Sequence, residues 1–390
     1  MLYRIISRKR KIDTPYLWTS FGQKGYDTFF GYYDISPFNE IDKEVLYIEV
    51  KKNFSSANIV LNNYENTDKR IVGQTTAWNW QQGCRLRWHP QKKGTIVFND
   101  CVNGVYVSRI LDTTNNQETQ VPYPLYDLDS SGKWGLTLNF ARLGYLRPGY
   151  GYNTVQYKKQ TNDELEKEGI GLVDMETGIV ESLVDYKELL NLFMLDDIGY
   201  NECYLNHISF SPDGDKFSFF FLTDNEIHRT ASLLVYDLPK KSIEIIERDL
   251  IVSHYVWKDN HTILYTAMNK SFQTFYYDYS LVSGKKEIIA SDILITDGHP
   301  SRIEDNIILS DTYPNRYKYQ KLFLANTMTA RLKVLLNIYS PSVSSEELRT
   351  DLHPRLNKSK TLISFDSNVC GYRQMFLLKD WNTSIAELNE

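Results

Sequence analysis

The sequence contains few cysteines, no long apolar run and no large excess of either charge. Its four cysteines among 390 residues lack CxxC spacing, so no disulfide framework is indicated, and scattered thiols of this kind fit a reducing compartment. No run of about 18 apolar residues occurs, and no apolar stretch of signal-peptide length follows the basic run at residues 8–11. We therefore expect neither export nor a transmembrane segment, and a cytoplasmic location.

Acidic and basic residues nearly balance. The chain has 44 Lys and Arg against 49 Asp and Glu, a net charge of −5. Proteins that bind nucleic acid by neutralising phosphates carry an excess of basic residues, so we expect no nucleic-acid partner. Apolar residues make up 42% and aromatic residues 14% of the chain, which exceeds what disordered chains carry and predicts a folded protein.

Tyrosine is abundant, with 28 copies beside 18 Phe and 7 Trp. Aromatic residues favour β-strands, and they also form the surfaces on which sugars or partner proteins stack. The tyrosines therefore have to be divided between the core and a functional site.

One local pattern, a short turn followed by an apolar, aromatic-rich strand, occurs seven times. The turns contain Pro, Asp-Gly or a degenerate version of them, residues that reverse the chain into the next strand. They are centred on Pro37, Pro90, Ser131, Pro212, Asp259, Pro300 and Pro354. Short strands that recur every roughly 40 to 50 residues are typical of a β-propeller. We predict an all-β fold, a single seven-bladed β-propeller over residues 1–390, in which an N-terminal strand pairs with residues 371–381 and closes the last blade.

The longest interval between these turns predicts an insertion at about residues 141–200. Its first part is rich in Gly, Tyr and charge and is interpreted as a loop over one face, with residues 149–152 as a mobile lid. Residues 185–199 have the helical spacing of Leu and Phe, which predicts a short helix. A second short helix is expected at residues 344–348, where Ser344 and Glu347 match a capping box.

Polar residues recur at equivalent positions of the repeats, near the start of the strand that lies closest to a propeller axis. Such residues converge on one central funnel, so we interpret them as a site for a polar ligand. The candidate substrate-binding residues are Tyr33, Asp34, Trp80, Arg142, Asn206, Arg302, Asp351 and Arg373. The same residues also allow a structural interpretation, in which arginines pair with aspartates between blades and histidines bind backbone.

Three segments resemble the oligogalacturonate lyase propellers and their WD40-like relatives: HISFSPDG at His207, DGHP at Asp297 and LHPR at Leu352. The segments WNWQQG, NFARL and RPGYGY also resemble propellers linked to bacterial polysaccharide gene clusters. The first resemblance implies seven blades, a polysaccharide lyase activity on uronates, and a divalent metal, manganese or calcium, held by histidines and a glutamine of the last two blades. The residues that would hold it here are His299, His353 and Gln374.

This chain departs from that family at the closing motif, which resembles Gln-x-x-His-x-His in the lyases. Thr350 and Arg355 stand at two of the expected ligand positions. Asp351 or Gln374 could substitute for a missing ligand. A guanidinium in place of a ligand, however, favours direct binding of a carboxylate over binding through a metal, so both modes stay open.

β-Elimination of a uronate needs neutralisation of the carboxylate, a base for the C5 proton and a proton donor for the leaving oxygen. Arginine suits the first task, because charge placed beside the developing enolate stabilises it. Imidazole titrates near neutrality and suits the second, and a tyrosine hydroxyl, from Tyr313 or Tyr33, suits the third. The candidate catalytic residues are His207, His299, Tyr313, Arg349 and Arg355.

The sequence thus predicts a carbohydrate-active enzyme, a lyase that cleaves a uronate-containing oligosaccharide or polysaccharide in the funnel. One alternative is an enzyme of polysaccharide biosynthesis, a glycosyltransferase or a glycoside hydrolase on the same scaffold, which the missing export signal favours. Another is a non-catalytic propeller for protein interactions, which would have an apolar, Arg- and Trp-rich rim and a less polar funnel. The sequence does not fix the sugar, the linkage or the oligomeric state.

Overall fold

A computed structural model describes residues 11–52, 54–65, 68–158, 160–195, 198–224 and 229–389 of the chain. Most of the basic run at residues 8–11 lies outside these residues. Every β-sheet is antiparallel, and the described strands form seven sheets of four or five strands each. The predicted seven-bladed β-propeller is confirmed.

The first two strands belong to the last two blades. They are β1 (Ile12–Asp13) and β2 (Trp18–Ser20). In β2, Trp18 pairs with Leu378 and completes the seventh sheet, as predicted. In β1, Ile12 pairs with Ile338 and adds a fifth strand to the sixth sheet, which was not predicted. The N-terminal segment therefore covers two sheet edges.

Blades 1 to 3 follow in chain order, each with its first strand innermost. Blade 1 consists of β3 (Tyr26–Phe29), β4 (Glu44–Lys51), β5 (Ala57–Asn63) and β6 (Asp68–Thr75). Blade 2 consists of β7 (Arg87–Trp88), β8 (Thr95–Val102), β9 (Val105–Asp112) and β10 (Glu118–Val121). Blade 3 consists of β11 (Asp127–Leu128), β12 (Trp134–Thr137), β13 (Gly169–Asp174) and β14 (Val180–Asp185).

Blades 4 to 7 repeat the arrangement. Blade 4 consists of β15 (Cys203–Phe210), β16 (Lys216–Asp224), β17 (Arg229–Asp237) and β18 (Ser242–Glu247). Blade 5 consists of β19 (Ile251–Trp257), β20 (Thr262–Met268), β21 (Thr274–Ser280) and β22 (Lys285–Ile289). Blade 6 consists of β23 (Ser301–Glu304), β24 (Ile307–Asp311), β25 (Tyr319–Asn326), β26 (Arg331–Tyr339) and β1. Blade 7 consists of β27 (Arg355–Leu356), β28 (Leu362–Ser367), β29 (Gln374–Lys379) and β2.

Short helices lie between the blades and at the C-terminal end. They are α1 (Phe140–Leu146), α2 (Asn162–Leu165), α3 (Tyr186–Phe193) and α4 (Thr383–Asn389), with 3-10 turns at Tyr200–Glu202 and Glu346–Leu348. α3 is the helix expected within residues 185–199. At Glu346–Leu348 the capping box is wrong, because Ser345 precedes the turn and makes no side-chain capping bond. None of the described helices combines the length and the apolar character that crossing a bilayer requires.

Residues 149–152, the segment interpreted as a lid, pack beside α1. The Tyr152 ring is fully buried and stacks on Phe140 with centroids 4.4 Å apart. A Cβ atom at Gly151 would lie 2.0 Å from the backbone nitrogen of Gly144, so only glycine fits there. These contacts hold the segment against α1 in the described conformation.

Candidate active site

Four histidines from four successive blades surround two tyrosines of blade 1 at the centre of the propeller. The Tyr32 ring lies 5.0 Å from the rings of His207 and His353, and the Tyr33 ring lies 5.2 Å from His299 and 5.8 Å from His254. All four histidines are at least nine-tenths buried. Equivalent blade positions therefore bring the imidazoles together, as the repeat pattern indicates.

Tyr33 spans the channel from blade 1 to blade 5. Its hydroxyl donates to the backbone oxygen of Tyr255 at 2.7 Å and accepts from the backbone nitrogen of the same residue at 3.0 Å. Because both bonds are buried, Tyr33 is a fixed strut that closes the channel beneath the histidines. Burial raises the pKa of Tyr33 well above its usual value, so its hydroxyl stays protonated.

Irregular backbone aims the histidines inward. The pairing register shifts between Asn206 and Ser209 in β15 and between Val252 and His254 in β19, and such bulges redirect a side chain. His207 and His353 have φ angles of 45° and 46°. A left-handed conformation is strained for a residue with a side chain, and strain of this kind clusters at functional sites.

A cavity of about 220 Å³ lies above these rings, and we call it the funnel cavity. Its lining combines apolar residues of blades 4 and 5 with polar and aromatic side chains that include Tyr32, Arg147, Tyr150, Asn206, His254, Tyr313 and Arg349. Three of the sequence-predicted residues, Asn206, Tyr313 and Arg349, are therefore part of the lining.

Among the described histidines only His254 lines the funnel cavity, and the sequence analysis missed it. Its Nδ1 lies 3.3 Å from the Asp297 carboxylate and its Nε2 lies 3.5 Å from the Tyr313 hydroxyl. Burial and the neighbouring His299 lower the pKa of His254, so the ring is neutral near pH 7. The sequence does contain a pattern that could have identified His254. This residue precedes the turn at Asp259 by five residues, and His207 precedes the turn at Pro212 by the same number.

His299 is held by a carboxylate beneath the cavity. Its Nδ1 lies 2.8 Å and 3.0 Å from the two carboxylate oxygens of Asp311. Burial alone would lower the pKa of His299, but Asp311 raises it above the usual value. The Asp311 contact fixes the ring and leaves Nε2 as the atom available for a ligand.

His353 is oriented in a similar way by backbone. Its Nδ1 lies 3.0 Å from the backbone oxygen of Gly31, whereas its buried Nε2 has no hydrogen-bond partner within the described part of the chain. Burial, together with His299 and Arg355, holds the pKa of His353 well below its usual range. The neutral ring therefore presents an unshared electron pair at Nε2.

His299, His353 and Asp351 fit a divalent metal ion. One ligand atom from each lies within 4.8 Å of the others, and all three residues are buried. Histidines that bind metals usually donate their second ring N–H to a carboxylate or a carbonyl, which is the arrangement of both rings here. Two imidazoles and one carboxylate suit a transition ion such as manganese better than calcium, which prefers oxygen ligands. Gln374, the third predicted ligand, packs its amide against Gly22, and its buried Oε1 has no hydrogen-bond partner among the described residues.

Arg349 connects this cluster to the funnel cavity. Its guanidinium donates three hydrogen bonds of 2.9 to 3.1 Å to the Asp351 carboxylate and lies 4.9 Å from the centre of the Tyr313 ring. Burial and the nearby Asp351 raise the pKa of Tyr313 well above its usual value. The cavity wall therefore combines a cation with a protonated hydroxyl.

His207 lies deeper and does not line the funnel cavity. Its ring stacks on Tyr255 at 4.1 Å, and its Nε2 lies 3.9 Å from the Asp34 carboxylate. Burial lowers the pKa of His207 to about 3, so it is neutral. Asp34 itself is bound by Arg85 at 2.8 Å.

The remaining predicted residues do not line the funnel cavity, and their side chains bind other protein groups. Arg355 donates to the backbone oxygen of Tyr32 at 3.1 Å and to Asp366 at 2.6 Å. Arg302 pairs with Asp278 across blades 5 and 6. These contacts agree with the structural interpretation, in which arginines connect neighbouring blades.

Arg142, Arg373 and Trp80 make contacts of the same kind. Arg142 donates to the backbone oxygen of Cys203 at 2.8 Å. Arg373 donates to the backbone oxygen of Arg349 at 2.8 Å and lies 5.1 Å from the centre of a Trp80 ring. The long arginine side chains reach backbone carbonyls that the sequence does not reveal.

Comparison with solved structures shows the same fold in several proteins of low sequence identity, whereas no protein-family model and no curated protein matches the sequence. An oligogalacturonate lyase in complex with manganese is 14% identical, with a TM-score of 0.70 over 94% of each chain. An oligogalacturonate lyase from Vibrio parahaemolyticus is 12% identical, with a TM-score of 0.67 over 94% of this chain and 97% of that chain. The tricorn protease is 12% identical, with a TM-score of 0.56 over 90% of this chain and 34% of that chain. The chain is a seven-bladed β-propeller with the fold that these proteins share.

Proposed function

We propose that the chain is an enzyme that cleaves a uronate-containing oligosaccharide by β-elimination in the funnel cavity. The observation that carries the proposal is the convergence of His254, Tyr313 and Arg349 on one cavity, directly above a buried cluster suited to a metal. Two propellers of the same fold are oligogalacturonate lyases, which supports this class of substrate. The fold alone would not decide the function.

The reaction needs a proton acceptor and a proton donor. In β-elimination a base removes the proton at C5, the electron pair forms the C4–C5 double bond, and the C4–O bond breaks as its oxygen takes a proton. His254 is neutral and faces the cavity through Nε2, so it is the acceptor. Tyr313 keeps its proton and lies 3.5 Å from that nitrogen, so it is the donor.

Asp297 positions the base. It lies 3.3 Å from His254 Nδ1 and accepts hydrogen bonds from Ser253 at 2.6 Å and Thr266 at 3.1 Å. A carboxylate held in this way fixes the ring so that Nε2 carries the free electron pair, and it stabilises the imidazolium that forms. Burial alone would raise the pKa of Asp297, but His254 lowers it to about 2.

Neutralisation of the sugar carboxylate falls to Arg349 and to the cluster beneath it. His299, His353 and Asp351 would hold a divalent ion, which when bound supplies positive charge beside the developing enolate. Arg349 adds a fixed guanidinium at the cavity wall. The site therefore contains residues for both modes of carboxylate binding, directly by arginine and through a metal ion.

Product analysis tests this function. The intact chain is incubated with oligomers of galacturonate, guluronate and mannuronate, with and without Mn²⁺, and the products are followed by ultraviolet absorbance and mass spectrometry. We expect a conjugated unsaturated uronate at the new non-reducing end and no addition of water. Heat-denatured chain is the control. Products that have gained water would show a hydrolase instead, and no cleavage of any uronate oligomer would contradict the proposal.

Replacement of His353 tests, by metal binding and independently of activity, whether His299, His353 and Asp351 hold a metal ion. We expect His353→Ala to weaken Mn²⁺ binding by at least about tenfold, because it removes a ligand whose tautomer the protein fixes. Binding is measured by electron paramagnetic resonance of free Mn²⁺. His261→Ala, which changes an exposed histidine on a turn, is the matched control. Equal affinities in the two variants would contradict the assignment.

The funnel does not favour a non-catalytic propeller for protein interactions. That alternative predicts few polar groups at the centre, whereas four histidines, Asp297 and Arg349 lie there.

A further inference from the structure

A second cavity of about 280 Å³ adjoins the funnel cavity, and we call it the side cavity. Arg147, Tyr150 and Arg349 line both. Its other walls are Gln81, from the connection between blades 1 and 2, Pro148 and residues 345–347. Ligand sites usually begin at about 300 Å³, and each cavity alone is smaller. The three shared residues place the two cavities side by side.

The side cavity is preformed. Gln81 donates from its backbone nitrogen to Gly149 at 3.1 Å and from Nε2 to the backbone oxygen of Arg349 at 2.8 Å. Arg373 donates to the same Arg349 oxygen at 2.8 Å. Glu347 lies against Gly149, where an added Cβ atom would be 3.3 Å from its Cγ. Three separate segments are thus held in one arrangement, which lowers the entropic cost of binding a ligand.

One buried acceptor in this wall has no donor. Gln81 is only 2% exposed, and its Oε1 has no hydrogen-bond partner among the described residues. A buried acceptor without a donor costs free energy that a ligand hydroxyl would recover. Sugars offer several such hydroxyls, and the Tyr150 ring beside it offers an apolar face on which a sugar can lie.

Arg147 is the cation of the side cavity whose N–H groups are available to a ligand. Its side chain is 32% exposed and pairs with the exposed Glu346 at 3.8 Å, a contact that contributes little in water. Its guanidinium also lies 5.2 Å from the centre of the Tyr150 ring. Arg349, by contrast, is already bound to Asp351 by three hydrogen bonds. Arg147 can therefore exchange Glu346 for a ligand carboxylate, which it would bind with two parallel hydrogen bonds.

We propose that the side cavity is a subsite for a second acidic sugar of the same oligosaccharide, in which Arg147 binds the sugar carboxylate and Gln81 accepts a hydroxyl. This inference rests on the proposed function, because it places the first uronate in the funnel cavity. It narrows the ligand to a chain of at least two neighbouring uronates.

Calorimetric titration of the full chain with uronate monomers and dimers tests the subsite. The probes are galacturonate, guluronate and mannuronate and the dimer of each. We expect Arg147→Met to weaken binding of the dimer by about tenfold or more, since a hydrogen-bonded charge is lost, and binding of the monomer by less than about twofold. Ser345→Trp, which fills the entrance from an exposed position, should have the same selective effect. Arg331→Met, at an exposed position of β26, is the control.

The outcomes separate the subsite from the function. If the dimer binds and both variants leave its affinity unchanged, or if they weaken monomer and dimer equally, the subsite is overturned and the proposed function stands. If no monomer or dimer binds to the unaltered chain, both are overturned. Thermal denaturation of each variant shows whether it is folded, and Ser345→Trp answers the question should Arg147→Met fail to fold.

Discussion

Replacement of His254 by asparagine is expected to lower kcat for uronate elimination by about 10²- to 10⁴-fold, the usual contribution of a general base. Of the imidazoles in the described part of the chain, only this ring lines the funnel cavity, and its Nε2 lies 3.5 Å from the Tyr313 hydroxyl. Asparagine keeps the polarity of the position but cannot take the C5 proton. KM should change by less than kcat, because the base acts on the transition state and contributes little to substrate binding.

Initial rates of formation of the unsaturated product measure this effect. His261→Asn is the matched control, because His261 is exposed on the turn between β19 and β20. Its backbone nitrogen donates to the Asp259 carboxylate and its backbone oxygen accepts from Leu281. Its rate should equal that of the unaltered chain. A His254→Asn variant that is folded and retains kcat within about twofold would show that another group, His299 first among them, removes the proton.

The blade count could be predicted because its signal is local. A turn with proline, or with an aspartate that bonds its own backbone, reverses the chain wherever it occurs, so seven turns predicted seven blades. The fifth strand of blade 6 left no such signal, since β1 is only two residues long and is defined by its partner β26. Strand pairing between the two ends of the chain depends on tertiary contacts that periodicity does not encode.

The site could be predicted in part. His299 and His353 lie just before an innermost strand and His207 lies within one. The repeat itself therefore brings these three residues together. The bulge that turns His254 inward is a register shift in β19, and no residue type announces it. Of the predicted arginines only Arg349 lines the funnel cavity, because a long side chain reaches either a funnel or a neighbouring backbone carbonyl. Arg355 and Arg302 reach protein groups.

The tyrosines fall into two groups, one in the core and one at the centre of the propeller. Tyr47, Tyr265 and Tyr276 are buried in blade strands, where β-propensity accounts for them. Tyr32 and Tyr33 stand at the centre, and Tyr33 binds the backbone of blade 5 from blade 1. The composition shows that tyrosine is abundant, but only the fold shows which tyrosine hydroxyls face a ligand.

Loss of Arg85 is expected to lower the free energy of unfolding by about 3 to 5 kcal/mol, the usual cost of breaking a buried ion pair from one side. Arg85 binds the Asp34 carboxylate at 2.8 Å and 3.2 Å, and the two side chains are only 1% and 10% exposed. Arg85→Met keeps the length of the side chain and leaves Asp34 as an unpaired buried charge. Chemical denaturation at pH 7 measures the loss, and Arg331→Met should change nothing.

The pH dependence of this loss identifies its cause. Burial alone would raise the pKa of Asp34, but Arg85 lowers it below the usual value. A carboxyl whose folded-state pKa is depressed stabilises the protein above its unfolded-state pKa of about 3.9, and this contribution disappears as the pH falls through the folded-state value. The difference between the unaltered chain and Arg85→Met should therefore be largest near neutral pH and shrink in acid. In the double variant Arg85→Met with Asp34→Asn no charge is left unpaired, so part of the stability should return. A difference that is independent of pH, or a double variant as unstable as Arg85→Met, would show that the loss comes from packing of Arg85 on the Tyr126 ring, 4.2 Å away, and not from the ion pair.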